Sequence, residues 1–140
     1  MNTKQVDREL RSLRVYRGTF ARNELCRKKF RKPFAIVINT DSLQQAGEHW
    51  VAVFAPVRGR CEYFDPMGWP PPHKQILRFL NTTAKQYVYC CEPLQGAASN
   101  KCGRFCIAFI KARDKGISYQ DFINDFGWDY ESNDDKVSIK

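Results

Sequence analysis

Two apolar runs joined by a short turn constrain this chain more than any other feature. His49 to Ala55 reads His-Trp-Val-Ala-Val-Phe-Ala, Pro56 to Gly59 supplies Pro-Val-Arg-Gly, and Arg60 to Phe64 follows. Short runs rich in β-branched and aromatic residues, separated by a Pro- and Gly-containing turn, pair as an antiparallel hairpin. Closing that hairpin brings its open ends together, so His49 and Asp65 become cross-strand neighbours within hydrogen-bond reach. An imidazole held by a carboxylate is the base half of a nucleophilic site.

The other elements follow from periodicity. Phe34 to Asn39 (Phe-Ala-Ile-Val-Ile-Asn) is a continuous apolar run, the pattern of a buried strand, and Tyr87 to Cys91 is a fourth strand. Thr3 caps a first helix in which Val6, Leu10 and Leu13 recur on one face and Lys4, Arg8 and Arg11 on another. His73 to Asn81 carries Ile76, Leu77 and Leu80 as a short amphipathic helix. Ser118-x-x-Asp121 opens a last helix with Phe122, Ile123 and Phe126 inward, and residues 129–140 read as a polar, frayed tail. The expected fold class is α+β, a small, mostly antiparallel sheet packed against helices. At 140 residues the chain forms one domain, able to bury roughly two-thirds of its unfolded surface.

The fourth strand leads into Gln95-Gly-Ala-Ala-Ser-Asn-Lys-Cys102-Gly103, and an apolar helix runs from there to Lys115, where Gly116 stops it. A cysteine at a helix N-terminus meets the positive end of the helix dipole, which favours the thiolate. A neighbouring glutamine amide and first-turn backbone N–H groups suit an oxyanion. Cys106, one turn on and flanked by Phe105 and Phe109, points into the core, whereas Cys102 stands exposed at the loop. Each residue has a plain structural alternative, but nucleophile, base, orienting acid and amide together indicate a cysteine hydrolase.

The net charge of +8 lies wholly in residues 1–40, which hold eleven Lys/Arg against three Asp/Glu. Arg27, Lys28, Lys29, Arg31 and Lys32 are its densest part, suited to phosphates or to a solvated surface. The six cysteines include no CxxC pair, and His49 and His73 lack zinc-site spacing, so free thiols and no metal are expected. There is neither an apolar leader nor a membrane-length apolar run, which predicts a soluble intracellular protein.

Gly47-x-His49-Trp50, Tyr63-Phe64-Asp65-Pro66-x-Gly68 and Gln95-Gly96-x5-Cys102-Gly103 together resemble the adenovirus protease (adenain) family, within the wider group of ubiquitin-like-modifier proteases. The resemblance covers about residues 34–110. It implies a permuted papain-like cysteine protease fold, with His49 as general base, Asp65 as orienting acid, Cys102 as nucleophile and Gln95 as oxyanion donor. Trp50 and Gly47 would line a narrow substrate channel that admits small, glycine-containing sites. Asp65 stands where adenovirus enzymes carry Glu. The resemblance further implies a monomeric endopeptidase that matures virion or mobile-element polyproteins, in the virion or host nucleus. It needs no cofactor, although DNA, through the basic N-terminal segment (residues 1–33), or a peptide could stimulate it. The rival functions are a protease of ubiquitin-like modifiers and a DNA-binding protein that keeps an inactive protease fold.

Overall fold

The computed structural model describes residues 1–40, 49–96 and 99–138. Its centre is the expected hairpin. Strand β3 (Trp50–Ala55) pairs antiparallel with β4 (Cys61–Phe64) on one side and with β2 (Phe34–Asn39) on the other. Parallel strands complete the two edges, β1 (Tyr16–Ala21) beside β2 and β5 (Tyr87–Tyr89) beside β4, giving the order β1-β2-β3-β4-β5. The antiparallel expectation thus holds for the three central strands, while each edge is reached by a crossover. Strand β1 was not expected. Its sequence, Tyr-Arg-Gly-Thr-Phe-Ala, has no apolar run, and its register is irregular between Tyr16 and Gly18.

Alternation along the strands divides the core. Val37, Trp50, Ala52, Phe54 and Phe64 face one way, where α3 (Cys102–Asp114) packs with α1 (Thr3–Leu10) and α4 (Tyr119–Asn124). Ile36, Ile38, Val51, Val53 and Tyr63 face the other way, onto Ile76, Phe79 and Leu80 of α2 (Lys74–Thr83). Central helix α3 is buried on most of its circumference, Phe105, Cys106, Phe109 and Ile110 having no exposed surface. Phe109 stacks on Phe64 with ring centroids 4.8 Å apart, and Phe122 meets both edge-on. That aromatic cluster sets the height of α3 above β4.

Helix ends follow local hydrogen bonding. The cap of α1 is Asn2 rather than Thr3, because Asn2 Oδ1 accepts from the Gln5 N–H (3.0 Å) while Gln5 Oε1 accepts from the Asn2 N–H (2.8 Å), the reciprocal capping box. Ser118 caps α4 as expected, its hydroxyl accepting from the Asp121 N–H at 3.1 Å. Gly116 has a φ of +89° just beyond α3, a backbone region open to glycine.

The polar tail is a correction to the sequence reading, since residues 130–138 form a further helix, α5 (Tyr130–Ser138). Asp129 caps it, accepting from the Glu131 N–H (3.2 Å) and the Ser132 hydroxyl (2.8 Å). Only Asn133 and Val137 turn inward. The Asn133 amide nitrogen donates to the carbonyls of Leu94 (3.1 Å) and Gly127 (2.9 Å), and its oxygen accepts from the Gly127 N–H (3.1 Å). This one side chain ties α5 to the loop that carries Gln95. Asn133→Ala strips buried groups of their partners, and the loss expected in chemical denaturation is about 1–3 kcal/mol.

Candidate active site

His49 precedes β3, and its carbonyl accepts from both the N–H (3.0 Å) and the hydroxyl (3.3 Å) of Thr40, at the end of β2. Its ring Nε2 lies 2.8 Å from Asp65 Oδ1. The ladder pairs Ala52 with Phe64, so the continued register sets Val51 opposite Asp65, and His49 reaches the acid diagonally rather than directly. Asp65 is 5% exposed and also accepts at the same oxygen from the Met67 N–H, at 2.8 Å.

The segment after Asp65 sets the height of the glutamine loop. The Asp65 carbonyl accepts from the Gly68 N–H (2.8 Å), closing a turn, and the Pro66 carbonyl accepts from the N–H groups of Leu94 (2.8 Å) and Gln95 (3.1 Å). Gly68 has a φ of +78°, and a Cβ there would lie 2.8 Å from the Pro93 nitrogen, so only glycine lets the two segments approach. Gln95 is 3% exposed. Its Nε2 donates to the Ser99 carbonyl at 3.0 Å, while Oε1 is buried with no hydrogen-bond partner among the described residues. Among the described residues, the Ser99 carbonyl is the acceptor that geometry gives that Nε2, which has a second proton. Gly96 packs on the Tyr130 ring, 3.0 Å from where its Cβ would be.

Cys102 opens α3 close enough to His49 to act on its charge, so the imidazole has a thiol as well as a carboxylate beside it. Burial alone would lower the imidazole pKa. The hydrogen bonds to Asp65 and Cys102 and their charges outweigh it, and raise the pKa from its ordinary value near 6.5 to about 10. These partners favour the charged ring over the neutral one. Cys102 is 5% exposed, more enclosed than the loop position suggested. Cys106 is as the sequence indicates: wholly buried, its thiol donating to the Trp50 carbonyl at 3.4 Å and held far above the ordinary thiol range by burial.

The remaining expected residues are placed differently. Trp50, taken as a channel wall, is 5% exposed and lies in the core with α3, because its side chain shares the face of Ala52 and Phe54. Gly47 lies outside the described residues. Arg27, Lys28 and Lys29 line a cavity with α2 that Arg31 and Lys32 do not share. Thr40, Pro66 and Asn133 are supports the sequence reading missed, since they act through backbone partners that leave no pattern in the sequence.

Residues 18–128 match the model of the adenovirus endoprotease family. The chain belongs to that family. It is 31% identical over 103 residues to the SUMO-1 cysteine protease of African swine fever virus, an alignment covering 65% of this chain and 37% of the relative. It is 31% identical over 98 residues to the protease of Avian adenovirus 8, covering 60% and 48% of the two chains. The crystal structure of the African swine fever virus protease superposes with a TM-score of 0.58 at 27% identity, over 74% of this chain and 42% of that one. The chain thus spans less than half the length of these relatives. Its α+β architecture is that of a papain-like cysteine protease.

The raised pKa gives a sign that can be checked. The stability contributed by the His49 imidazolium is fully present below about pH 6.5 and is lost as pH rises through about 10. Asp65→Asn removes the carboxylate that raises the pKa. In an NMR titration of the imidazole, the midpoint is expected to fall by at least about one unit. An unchanged midpoint would mean that Asp65 does not hold the proton.

Proposed function

We propose that this chain is a cysteine endopeptidase in which Cys102 is the nucleophile, His49 the proton carrier, Asp65 its orienting acid and Gln95 an oxyanion donor. The observation that carries this reading is the imidazole of His49, bonded to Asp65 at 2.8 Å, with Cys102 near enough to raise its pKa. In this reading the Cys102 thiolate attacks the scissile carbonyl, and the imidazolium gives its proton to the departing amine. The neutral imidazole then takes a proton from the water that cleaves the thioester. Asp65 holds the ring orientation throughout. The developing O⁻ is met by the second Gln95 Nε2 proton and by a backbone N–H at the first turn of α3.

The substrates of this reading are virion or mobile-element polyproteins, cut near small residues. Glycine suits a confined slot because it presents no Cβ. The name of the African swine fever virus relative favours a second reading, a protease of ubiquitin-like modifiers. A probe carrying a modifier C-terminus separates the two: rapid labelling of Cys102 supports the second, and cleavage only of glycine-containing peptides supports the first.

Cys102→Ser is expected to abolish peptide hydrolysis while keeping the fold, whereas Cys106→Ser loses about 1–3 kcal/mol of stability from a buried hydroxyl but keeps specific activity. An inactive, folded Cys106→Ser protein would reverse the assignment. Gln95→Ala should lower kcat about 10²–10³-fold with little change in KM. A loss under about fivefold, in place of that range, would leave Gln95 a loop residue only.

A further inference from the structure

The basic cluster divides in the folded chain, and half of it surrounds a cavity. Arg27, Lys28 and Lys29 line a hollow of about 330 Å³ whose facing wall is α2, through Arg78 and Phe79. Leu25 and Phe79 form its apolar floor, and both belong to the core on the α2 side of the sheet, away from the face on which α3 carries Cys102. Four cations border the hollow, and no carboxylate is among the residues that line it. Arg31 and Lys32 do not line it, and Arg17 holds their stretch of backbone through the carbonyls of Arg31 (3.1 Å) and Pro33 (3.2 Å).

A second observation concerns the backbone. The Lys28 N–H donates to the Leu25 carbonyl at 3.0 Å, closing a turn whose third residue is Arg27, with a φ of +64°. Glycine and asparagine take that position readily, and an arginine there is strained. Residues held in such backbone regions cluster at ligand-binding and switch positions. Across the turn, the Lys28 ammonium lies 5.0 Å from the centre of the Phe20 ring, which holds one cation at the rim before any ligand arrives.

We propose that this cavity is an exosite for a polypeptide segment in which one apolar or aromatic side chain is flanked by acidic residues. The apolar side chain enters between Leu25 and Phe79, and the flanking carboxylates meet Arg27, Lys29 and Arg78 as charge-assisted hydrogen bonds. A nucleic acid fits less well. A duplex offers its phosphates along a convex ridge and needs a track of cations, whereas these cations ring a concavity with an apolar floor. The segment's use, to hold a protein substrate while another part of it reaches Cys102, rests on the endopeptidase reading. Binding of the segment does not.

Cys26 is exposed and lines the cavity, so it reports occupancy directly. The probe is a short synthetic peptide with a central Phe between runs of Glu. It is added to the whole protein, and N-ethylmaleimide labelling is followed by mass spectrometry. At saturation the peptide should slow labelling of Cys26 about tenfold, with the exposed Cys91 as the internal reference. A counterpart with Lys in place of Glu should give no protection. Arg78→Gln and Arg27→Gly should each weaken the peptide about tenfold. Arg27→Gly should also raise the melting temperature, since it relieves the left-handed backbone.

Unchanged Cys26 labelling, or unchanged affinity in both variants, would overturn the exosite. Equal protection by an oligonucleotide of matched charge would overturn it in favour of nucleic acid. The recruitment role is read separately: kcat/KM for a substrate bearing the acidic segment should fall in Arg78→Gln, while that for the same substrate without the segment stays unchanged. A protein that binds the peptide but hydrolyses nothing would keep the exosite and refute the endopeptidase reading.

Discussion

A carboxylate almost closed off from water governs this structure. An ionised group in that position is tolerable only when charge and hydrogen bonds replace its hydration. Asp65 meets the condition with one oxygen shared between His49 Nε2 and the Met67 N–H. The cost of burial thereby becomes a preference for the protonated imidazole, which is the property a thiol nucleophile needs opposite it. Much of the surrounding architecture holds these few atoms in place. Thr40 grips the His49 carbonyl from β2, and the Pro66 carbonyl draws in the Gln95 loop.

Helix α3 separates two chemically similar thiols by position alone. Cys102 is at the first turn, beside the imidazole, where backbone N–H groups outnumber their acceptors. One turn later Cys106 is sealed under Trp50, where desolvation penalises the thiolate. The stacking of Phe109 on Phe64 links this helix to the strand that ends in Asp65. Cys102 and Asp65 are thus referenced to one aromatic contact, and His49 stands at the start of the adjacent strand β3.

The central part of the site is legible in the sequence because hairpin geometry is local. Two runs and a turn are enough to bring His49 and Asp65 together, and the change from loop to apolar period marks Cys102. The edges of the sheet are harder. Strand β1 carries Arg17 and Gly18 and so lacks a strand pattern, and parallel pairing depends on crossovers rather than on local residues. Helix α5 is hidden by composition: of its nine residues only Asn133 and Val137 face inward, and the first of these is polar. Trp50, beside His49, is turned by strand alternation into the core, where 5% of its surface stays exposed.

The spacing of the His49–Asp65 contact has a consequence for the order of folding. The two residues are 16 apart in sequence, and a loop of that size closes at a small entropic cost. The base and its acid can therefore meet as soon as one hairpin forms, a microsecond event in isolated strands. The thiol arrives only when α3 docks across the finished sheet, a step that waits on contacts distant in sequence. A nascent chain thus pairs its imidazole and carboxylate before Cys102 joins them, so the three side chains come together only once the core around them is complete.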